Sequence, residues 1–236
     1  MMNTLSNVND RRGGMNPPND GLTSSVIPEV QNPSKDENSN TGVSSPYMPI
    51  ENHQWFVLRA TYNRVEKEID TLEKNVAYVY LPKRYVLKLR NGKKKRVLEP
   101  LLPNLVFVYS TKEHLEQVFK EDKKLSHYHF YRDKTKEIDL FDDKHPPVVV
   151  SHYEMLNFIK LTNVKSEHIK LVKPEQCHYK SGDKVRIVNG EFSGVEGRVA
   201  RISGQQRVVV EMQGICMVAT AYIPSAFLEQ VDKFNP

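Results

Sequence analysis

The sequence predicts an α+β protein: an α/β sandwich, made of an antiparallel sheet with flanking helices, followed by a small β-barrel. Between Trp55 and about residue 165, short apolar runs typical of strands alternate with segments whose apolar residues recur at helical spacing. From Tyr179 the apolar period changes to two, and glycines separate the runs. These two patterns indicate two folded domains of different architecture.

Residues 1–50 show neither pattern. They are rich in Asn, Ser, Pro and Gly, and Tyr47 is their one aromatic residue. Such a segment cannot bury enough apolar surface to offset the entropy of ordering, so we expect a disordered polar tail. The segment lacks the apolar stretch that a signal peptide contains. No run in the chain approaches the roughly 18 apolar residues of a membrane helix. Cys177 and Cys216 form no CxxC motif, which favours a reduced, cytoplasmic protein.

Strands of the first domain are predicted from four short apolar runs. These runs are Trp55–Ala60, Tyr78–Leu81, Leu101–Ser110 and His127–Arg132. Helices are predicted where apolar residues share one helical face. The first such face is formed by Val65, Ile69, Leu72 and Val76, and the second by Leu115, Val118 and Phe119. Ser151 and Glu154 are spaced as a capping box, which predicts a third helix with Met155, Phe158 and Ile159 on one side.

A hairpin is predicted between Lys83 and Pro100, with arms at 84–90 and 93–98. Asn91-Gly92 is the dipeptide that best tolerates the positive φ angles of a type I′ turn. Lys83 to Arg96 contains eight basic residues and no acidic one, in a chain of net charge +5. This density of positive charge predicts contact with nucleic acid, because lysine and arginine beside phosphates release counterions. The alternative is a solvated edge hairpin whose lysines prevent aggregation.

The second domain is predicted as a barrel of five short strands after a linker at 166–178, which has no clear period and includes Pro174. Tight corners in a small barrel need residues without a Cβ, and Gly190, Gly194 and Gly197 supply them. No GK[ST] sequence and no helix follow these glycines, so they do not form a phosphate-binding loop.

The second domain's opening, GDKVRIVNGEFSGVEGRVARI (182–202), resembles the KOW motif. Three segments of the first domain resemble the NusG N-terminal (NGN) domain: WFVLRATYNRVEKEI (55–69), EPLLPNLVFV (99–108) and PPVVVSHYEMLNFIKL (146–161). The resemblance covers about 53–233. The expanded hairpin and the ending AYIPSAFLEQV (221–231) look most like the UpxY-type antiterminators, NusG paralogues that act on long polysaccharide operons. The resemblance thus implies an NGN domain at 51–165, a linker at 166–178 and an SH3-like KOW domain at 179–236.

The resemblance implies a transcription elongation or antitermination factor that binds the clamp helices of RNA polymerase and suppresses pausing or termination. By motif, the polymerase contacts would be Tyr62, Leu102, Pro103 and Leu105. The alternative is that these side chains are core. The family's Gly-Tyr dipeptide is Asn104-Leu105 here, so any contact through the tyrosine hydroxyl is lost.

DNA or nascent RNA is the partner expected for the hairpin. The residues that would contact it are Arg84, Tyr85, Lys88, Arg90, Lys93, Lys94, Lys95 and Arg96, with Tyr85 stacking on an unpaired base. In the KOW domain the resemblance implies a partner contact at Phe192, Ser193 and Gly194, with a ribosomal protein, a termination factor or RNA. Phe192 could equally plug the barrel. A second hypothesis for the whole chain is a KOW-type RNA-binding or ribosome-associated protein.

No catalytic constellation is recognisable, so we expect no enzymatic activity and no cofactor. His127 and His129 lie on one face of a predicted strand, but a metal site would need further ligands at matching geometry. Asp142, Asp143 and His145 are candidates by composition alone, and we expect no metal. We also expect a monomer without a membrane partner.

Overall fold

The structure, a computed structural model, describes residues 49–61, 65–139, 143–164 and 167–231. The predicted polar tail lies outside these residues except for its last two, and so do Tyr62 and Asp142. Both sheets described below belong to one compact unit, Asn40–Pro236. No described helix is long and apolar enough to cross a membrane.

The first sheet has five strands that pair antiparallel. They are β1 (Gln54–Ala60), β2 (Tyr78–Tyr80), β5 (Leu105–Ser110), β6 (Tyr128–Phe130) and β7 (Val149–Val150). Their order is β2-β5-β1-β6, and β7 also pairs with β1. Trp55, Phe56, Val57 and Leu58 are all buried, because β1 is covered on both faces of the sheet.

Three helices cover the two faces of this sheet: α1 (Ile69–Asn75), α2 (Lys112–Glu121) and α3 (His152–Thr162). Leu72 of α1 and Leu115 of α2 pack with Phe56 and Leu58 on one face. Phe158 of α3 packs with Phe107 on the other face. The capping box predicted for α3 is confirmed: the Glu154 amide donates to Ser151 Oγ, and the Glu154 carboxylate accepts from the Ser151 amide.

β3 (Lys83–Arg90) and β4 (Lys93–Pro100) form a separate two-stranded ribbon. Their turn, Asn91-Gly92, has φ angles of 50° and 73°. The predicted hairpin and its turn are therefore confirmed.

The C-terminal region forms a six-stranded antiparallel sheet in the order β13-β9-β10-β11-β12-β8. The strands are β8 (Lys170–Val172), β9 (His178–Ile187), β10 (Glu196–Ile202), β11 (Gln205–Met212), β12 (Cys216–Ala219) and β13 (Leu228–Gln230). Gly197 lies inside β10 and not at a corner. A Cβ there would lie 2.8 Å from Val208 Cγ1, so this position needs glycine for close approach between strands.

The predicted mixed α/β fold with antiparallel sheets is confirmed, but several element boundaries were wrong. The strand predicted from Leu101 begins only at Leu105, because a turn occupies 101–104. The helix predicted from Val65 begins at Ile69. The segment 166–178, predicted as a linker, contains β8, which pairs with β12 and extends the six-stranded sheet.

Candidate functional site

The ribbon β3–β4 has two chemically distinct faces, because side chains alternate along each strand. On one face, Lys88 lies opposite Lys95 and Arg90 lies opposite Lys93. Like charges directly opposite each other destabilise a strand pair. Among the described residues, Arg90, Lys93, Lys94 and Lys95 have no acidic partner, whereas Lys88 forms an ion pair with Glu99. We call Lys88, Arg90, Lys93 and Lys95 the basic face of the ribbon.

The opposite face carries exposed leucines. Leu87 lies opposite Arg96, Leu89 opposite Lys94, and Tyr85 opposite Leu98. Leu87 and Leu89 are 62% and 71% exposed. The guanidinium of Arg96 lies 3.9 Å from the centre of the Tyr85 ring and binds the Glu167 carboxylate at 2.8 Å. We call Leu87, Leu89 and Leu98 the leucine face.

A tight turn joins the ribbon to β5. Asn104 has a φ of 64°, and its carbonyl accepts a hydrogen bond of 2.8 Å from the Ala60 amide. Pro103 is exposed at the tip, and Leu105 is half-buried opposite Arg59 of β1. Leu102 is only 4% exposed and belongs to the apolar core, together with Leu101 and Phe158.

α3 lies between the two sheets and contacts both. One apolar core contains Phe158 and Ile159 of α3, Phe107 of the first sheet, and Val208 and Val210 of the six-stranded sheet. At its edge, the Asn157 carboxamide pairs with the Glu196 backbone: Oδ1 accepts from the Glu196 amide at 2.8 Å, and Nδ2 donates to its carbonyl. The start of β10 therefore lies against α3.

The Glu196 side chain joins this contact to the six-stranded sheet. It accepts hydrogen bonds from the Tyr153 hydroxyl and from Arg186, whose Nη2 lies 2.6 Å from Oε1. Burial acts to raise the pKa of Glu196, but the hydrogen bonds from Tyr153 and Arg186 outweigh it and lower that pKa overall. Burial and the interaction with Glu196 raise the pKa of Tyr153 to about 12. The contact is thus built for an ionised Glu196 and a neutral Tyr153.

Residues 53–159 match the family model described as transcription termination factor nusG. This region is similar to the NusG family. The match covers just under half of the chain and ends within α3, so the six-stranded sheet lies beyond it.

Among solved structures, the chain is similar to NusG from Thermotoga maritima, solved in connection with its domain interaction. The two are 20% identical, the alignment covers 76% of this chain and 98% of that one, and the TM-score is 0.37. No curated protein matches the sequence at a significant level.

The predicted polymerase contacts of the first domain are not all accessible. Pro103 is exposed and Leu105 half-exposed, but Leu102 is buried, which corrects the expectation of an exposed patch that includes it. Tyr62 lies outside the described residues. The departure from the family's glycine has a physical basis, because asparagine is, after glycine, the residue that best tolerates the left-handed backbone at position 104.

The predicted nucleic-acid residues do come together on the ribbon, but in unequal roles. Arg96 and Tyr85 are engaged with each other, so a base could stack on Tyr85 only by displacing Arg96. The buried Nε of Arg84 has no hydrogen-bond partner among the described residues. The alternation of KRYVLKLR could have revealed the leucine face, which the count of charges concealed.

The predicted partner contact in the six-stranded sheet is also partly covered. Phe192 is 2% exposed and packs in the shared core, which agrees with the alternative that it is a core residue. Ser193 is exposed, and Gly194 lies close to Lys160 of α3. Sequence reasoning missed Asn157 and Glu196, because no local pattern links α3 to a strand 39 residues away.

His127 and His129 are candidate metal ligands because they share one face of a predicted strand. Among the described residues, no group of three or more His, Cys, Asp or Glu side chains could hold a metal ion. His127 Nδ1 instead lies 2.9 Å from the Lys124 carbonyl, and His145 Nδ1 lies 2.8 Å from the Lys136 carbonyl.

Proposed function

We propose that the protein is a transcription elongation and antitermination factor of the NusG type, most like the UpxY paralogues. The observation that carries the proposal is the match of residues 53–159 to the NusG family model. Its domain would dock on the clamp helices of RNA polymerase and favour the closed, processive elongation complex over paused or terminating states. Binding energy that differs between these states shifts their populations, so no reaction is catalysed.

The polymerase contact is proposed for Tyr62 and for the turn at Pro103 and Leu105. Pro103 is exposed, and Leu105 is half-buried next to Arg59, so both can meet a partner without rearrangement. Leu102 could take part only if the core around it opened, because it is buried in this arrangement.

The ribbon is proposed to contact nucleic acid at the polymerase, either upstream DNA or nascent RNA. The opposed like charges of the basic face support this role, because a polyanion would relieve their repulsion. Arg84, Tyr85, Lys94 and Arg96 would contribute from the sides and base of the ribbon.

The six-stranded sheet is proposed to be a KOW domain that binds a ribosomal protein, a termination factor or RNA around Phe192, Ser193 and Gly194. Since Phe192 is 2% exposed within the apolar core, its use would require that core to open around it. The proposed protein is a cytoplasmic monomer whose targets are long operons such as those for polysaccharide synthesis.

Co-elution with core RNA polymerase tests the proposal. The wild type should bind at micromolar concentration, and the double variant Pro103→Ser/Leu105→Asp should lose binding while keeping its thermal transition. Val149→Ser, which changes an exposed apolar residue of β7, is the matched control and should bind normally. Absence of binding by the wild type would reject the proposal and favour the KOW-type RNA-binding alternative.

A further inference from the structure

The leucine face of the ribbon has no cover among the described residues. β3 and β4 pair only with each other in the described part of the chain. Leu87 and Leu89 are two residues apart on one strand, so they point the same way and form a continuous apolar strip. An exposed apolar patch with a charged rim indicates a binding surface, whereas a single exposed leucine would not.

The charges around this strip restrict the chemistry of its partner. Lys94 and Arg96 lie directly opposite the two leucines, and the basic face lies behind them. Glu167 balances the charge of Arg96, and Glu99 that of Lys88. Lys94 and the remaining cations of the basic face have no acidic partner among the described residues, so the strip lies beside an excess of positive charge. The partner must therefore offer an apolar floor with anionic groups beside it.

A groove of double-stranded DNA has this arrangement. Its floor is formed by base-pair edges, including the thymine methyl groups, and its walls carry phosphates. The major groove of B-form DNA is about 12 Å wide and admits a two-stranded ribbon. A strand of eight residues spans about 26 Å, so the ribbon is long enough to follow the groove across several base pairs.

We propose that the ribbon enters the major groove of duplex DNA with its leucine face towards the base pairs. Leu87 and Leu89 contact thymine methyl groups on the floor. The basic face points out of the groove, and its long side chains reach sideways to phosphates on both walls. This inference rests on the proposed nucleic-acid role of the ribbon and adds the form of the nucleic acid and the mode of contact.

The geometry also excludes other nucleic acids as the preferred partner. The major groove of A-form RNA is deep and narrow, and side chains cannot reach its floor. A single strand offers no second wall of phosphates, and the ring most suited to base stacking, that of Tyr85, is covered by Arg96. The ribbon should therefore favour duplex DNA over duplex RNA and single strands.

Fluorescence anisotropy with the full-length protein tests the inference. The probes are an A·T-rich DNA duplex of about 20 base pairs, roughly two turns, the same duplex with uracil in place of thymine, the matching RNA duplex and the single strand. The DNA duplex should bind most tightly. Uracil removes the methyl groups and should weaken binding about four-fold for each methyl that is contacted.

Two variants separate the leucine contacts from the phosphate contacts. Leu87→Ser/Leu89→Ser should weaken duplex binding about ten-fold or more without changing its salt dependence. Lys95→Ala should weaken binding to every duplex and lower the salt slope by about one. Ile138→Ser, which alters an apolar residue of 46% exposure away from the ribbon, is the control and should bind as wild type.

The groove model is overturned if the leucine variant or the uracil duplex binds as tightly as its parent, or if RNA or single strands bind equally well. Should Lys95→Ala still lower the salt slope in that case, the ribbon would remain a phosphate contact of the proposed function. Polymerase co-elution does not depend on these probes, so its failure is recognised separately.

Discussion

Asn157 of α3 and Glu196 of β10 pair as two neighbouring strands would, through one donor and one acceptor each. The carboxamide of Asn157 takes the place of a peptide group and satisfies both backbone groups of Glu196. The same residue's carboxylate holds Tyr153 of α3 and Arg186 of β9. Glu196 therefore connects α3 to the six-stranded sheet through its backbone and its side chain.

Replacing Asn157 should weaken this connection. Asn157→Ala leaves the amide and carbonyl of Glu196 without partners, which should cost roughly 1 to 2 kcal/mol in the free energy of unfolding. Urea unfolding measures this change. Gln230→Ala removes an exposed side chain of similar size at the end of β13 and should be neutral.

Opening of the interface can be measured separately from stability. Backbone amide shifts of residues around Phe192 should move in Asn157→Ala if the start of β10 leaves α3, and small-angle scattering should show a larger radius of gyration. Unchanged shifts would mean that the apolar core alone holds the two parts together.

Acid should destabilise the wild type more than Glu196→Gln. The pKa of Glu196 is lowered in the folded protein, so its carboxylate contributes stability above the unfolded value, about 4.3. That contribution is lost as the pH falls through the folded pKa. The difference in unfolding free energy between wild type and Glu196→Gln should therefore be constant near neutral pH and shrink below about pH 4.3.

High pH should destabilise the protein through ionisation of the Tyr153 hydroxyl. Its pKa of about 12 lies above the ordinary value, so its contribution is complete below about pH 10 and is lost as the pH rises through 12. Tyr153→Phe lacks this ionisable group. Its unfolding free energy relative to wild type should therefore rise over that alkaline interval, as measured by denaturant unfolding. An equal loss of stability in both proteins would show that Tyr153 does not cause the alkaline destabilisation.

The turn at Asn104 should accept glycine and reject branched residues. Its φ of 64° disfavours side chains with a branched Cβ, so Asn104→Val should destabilise the protein by about 1 to 2 kcal/mol. Asn104→Gly should change stability by a few tenths of a kcal/mol at most. Thermal unfolding of both variants measures the difference, and equal stability of Asn104→Val and Asn104→Gly would contradict it.

Local signals in the sequence predicted the elements whose stability is local. The Asn91-Gly92 turn and the Ser151–Glu154 capping box depend on residues within four positions of each other, and both are present as predicted. The apolar period also identified the core of β1 and α3. Boundaries were less predictable, since the run from Leu101 is apolar throughout although Asn104 breaks the strand.

Long-range arrangement could not be predicted, because it depends on which apolar faces meet. Leu102 looks like a surface residue by motif, but the fold buries it under α3. β8 is three residues long, too short for any period to be visible, and it exists because β12 offers an open edge. The two faces of the ribbon were readable in principle, yet only the register shows that its cations stand opposite each other.

The pairing register of the ribbon predicts that Lys95→Glu raises the stability of the protein and weakens its binding to DNA. In the register of the ribbon Lys95 lies opposite Lys88, so Lys95→Glu replaces a pair of like charges by a pair of opposite charges, and the Glu99 carboxylate that already pairs with Lys88 keeps the gain small. Cross-strand pairs of this kind contribute about 0.2 to 1 kcal/mol, so the variant should unfold at slightly higher urea concentration than wild type. Its binding to DNA should fall by more than that of Lys95→Ala, because a carboxylate adds repulsion from phosphate.

Lys170→Glu makes the same charge change on an exposed residue of β8 and controls for net charge. A Lys95→Glu protein that is both less stable and equally able to bind DNA would show that the basic face is only a solvated surface.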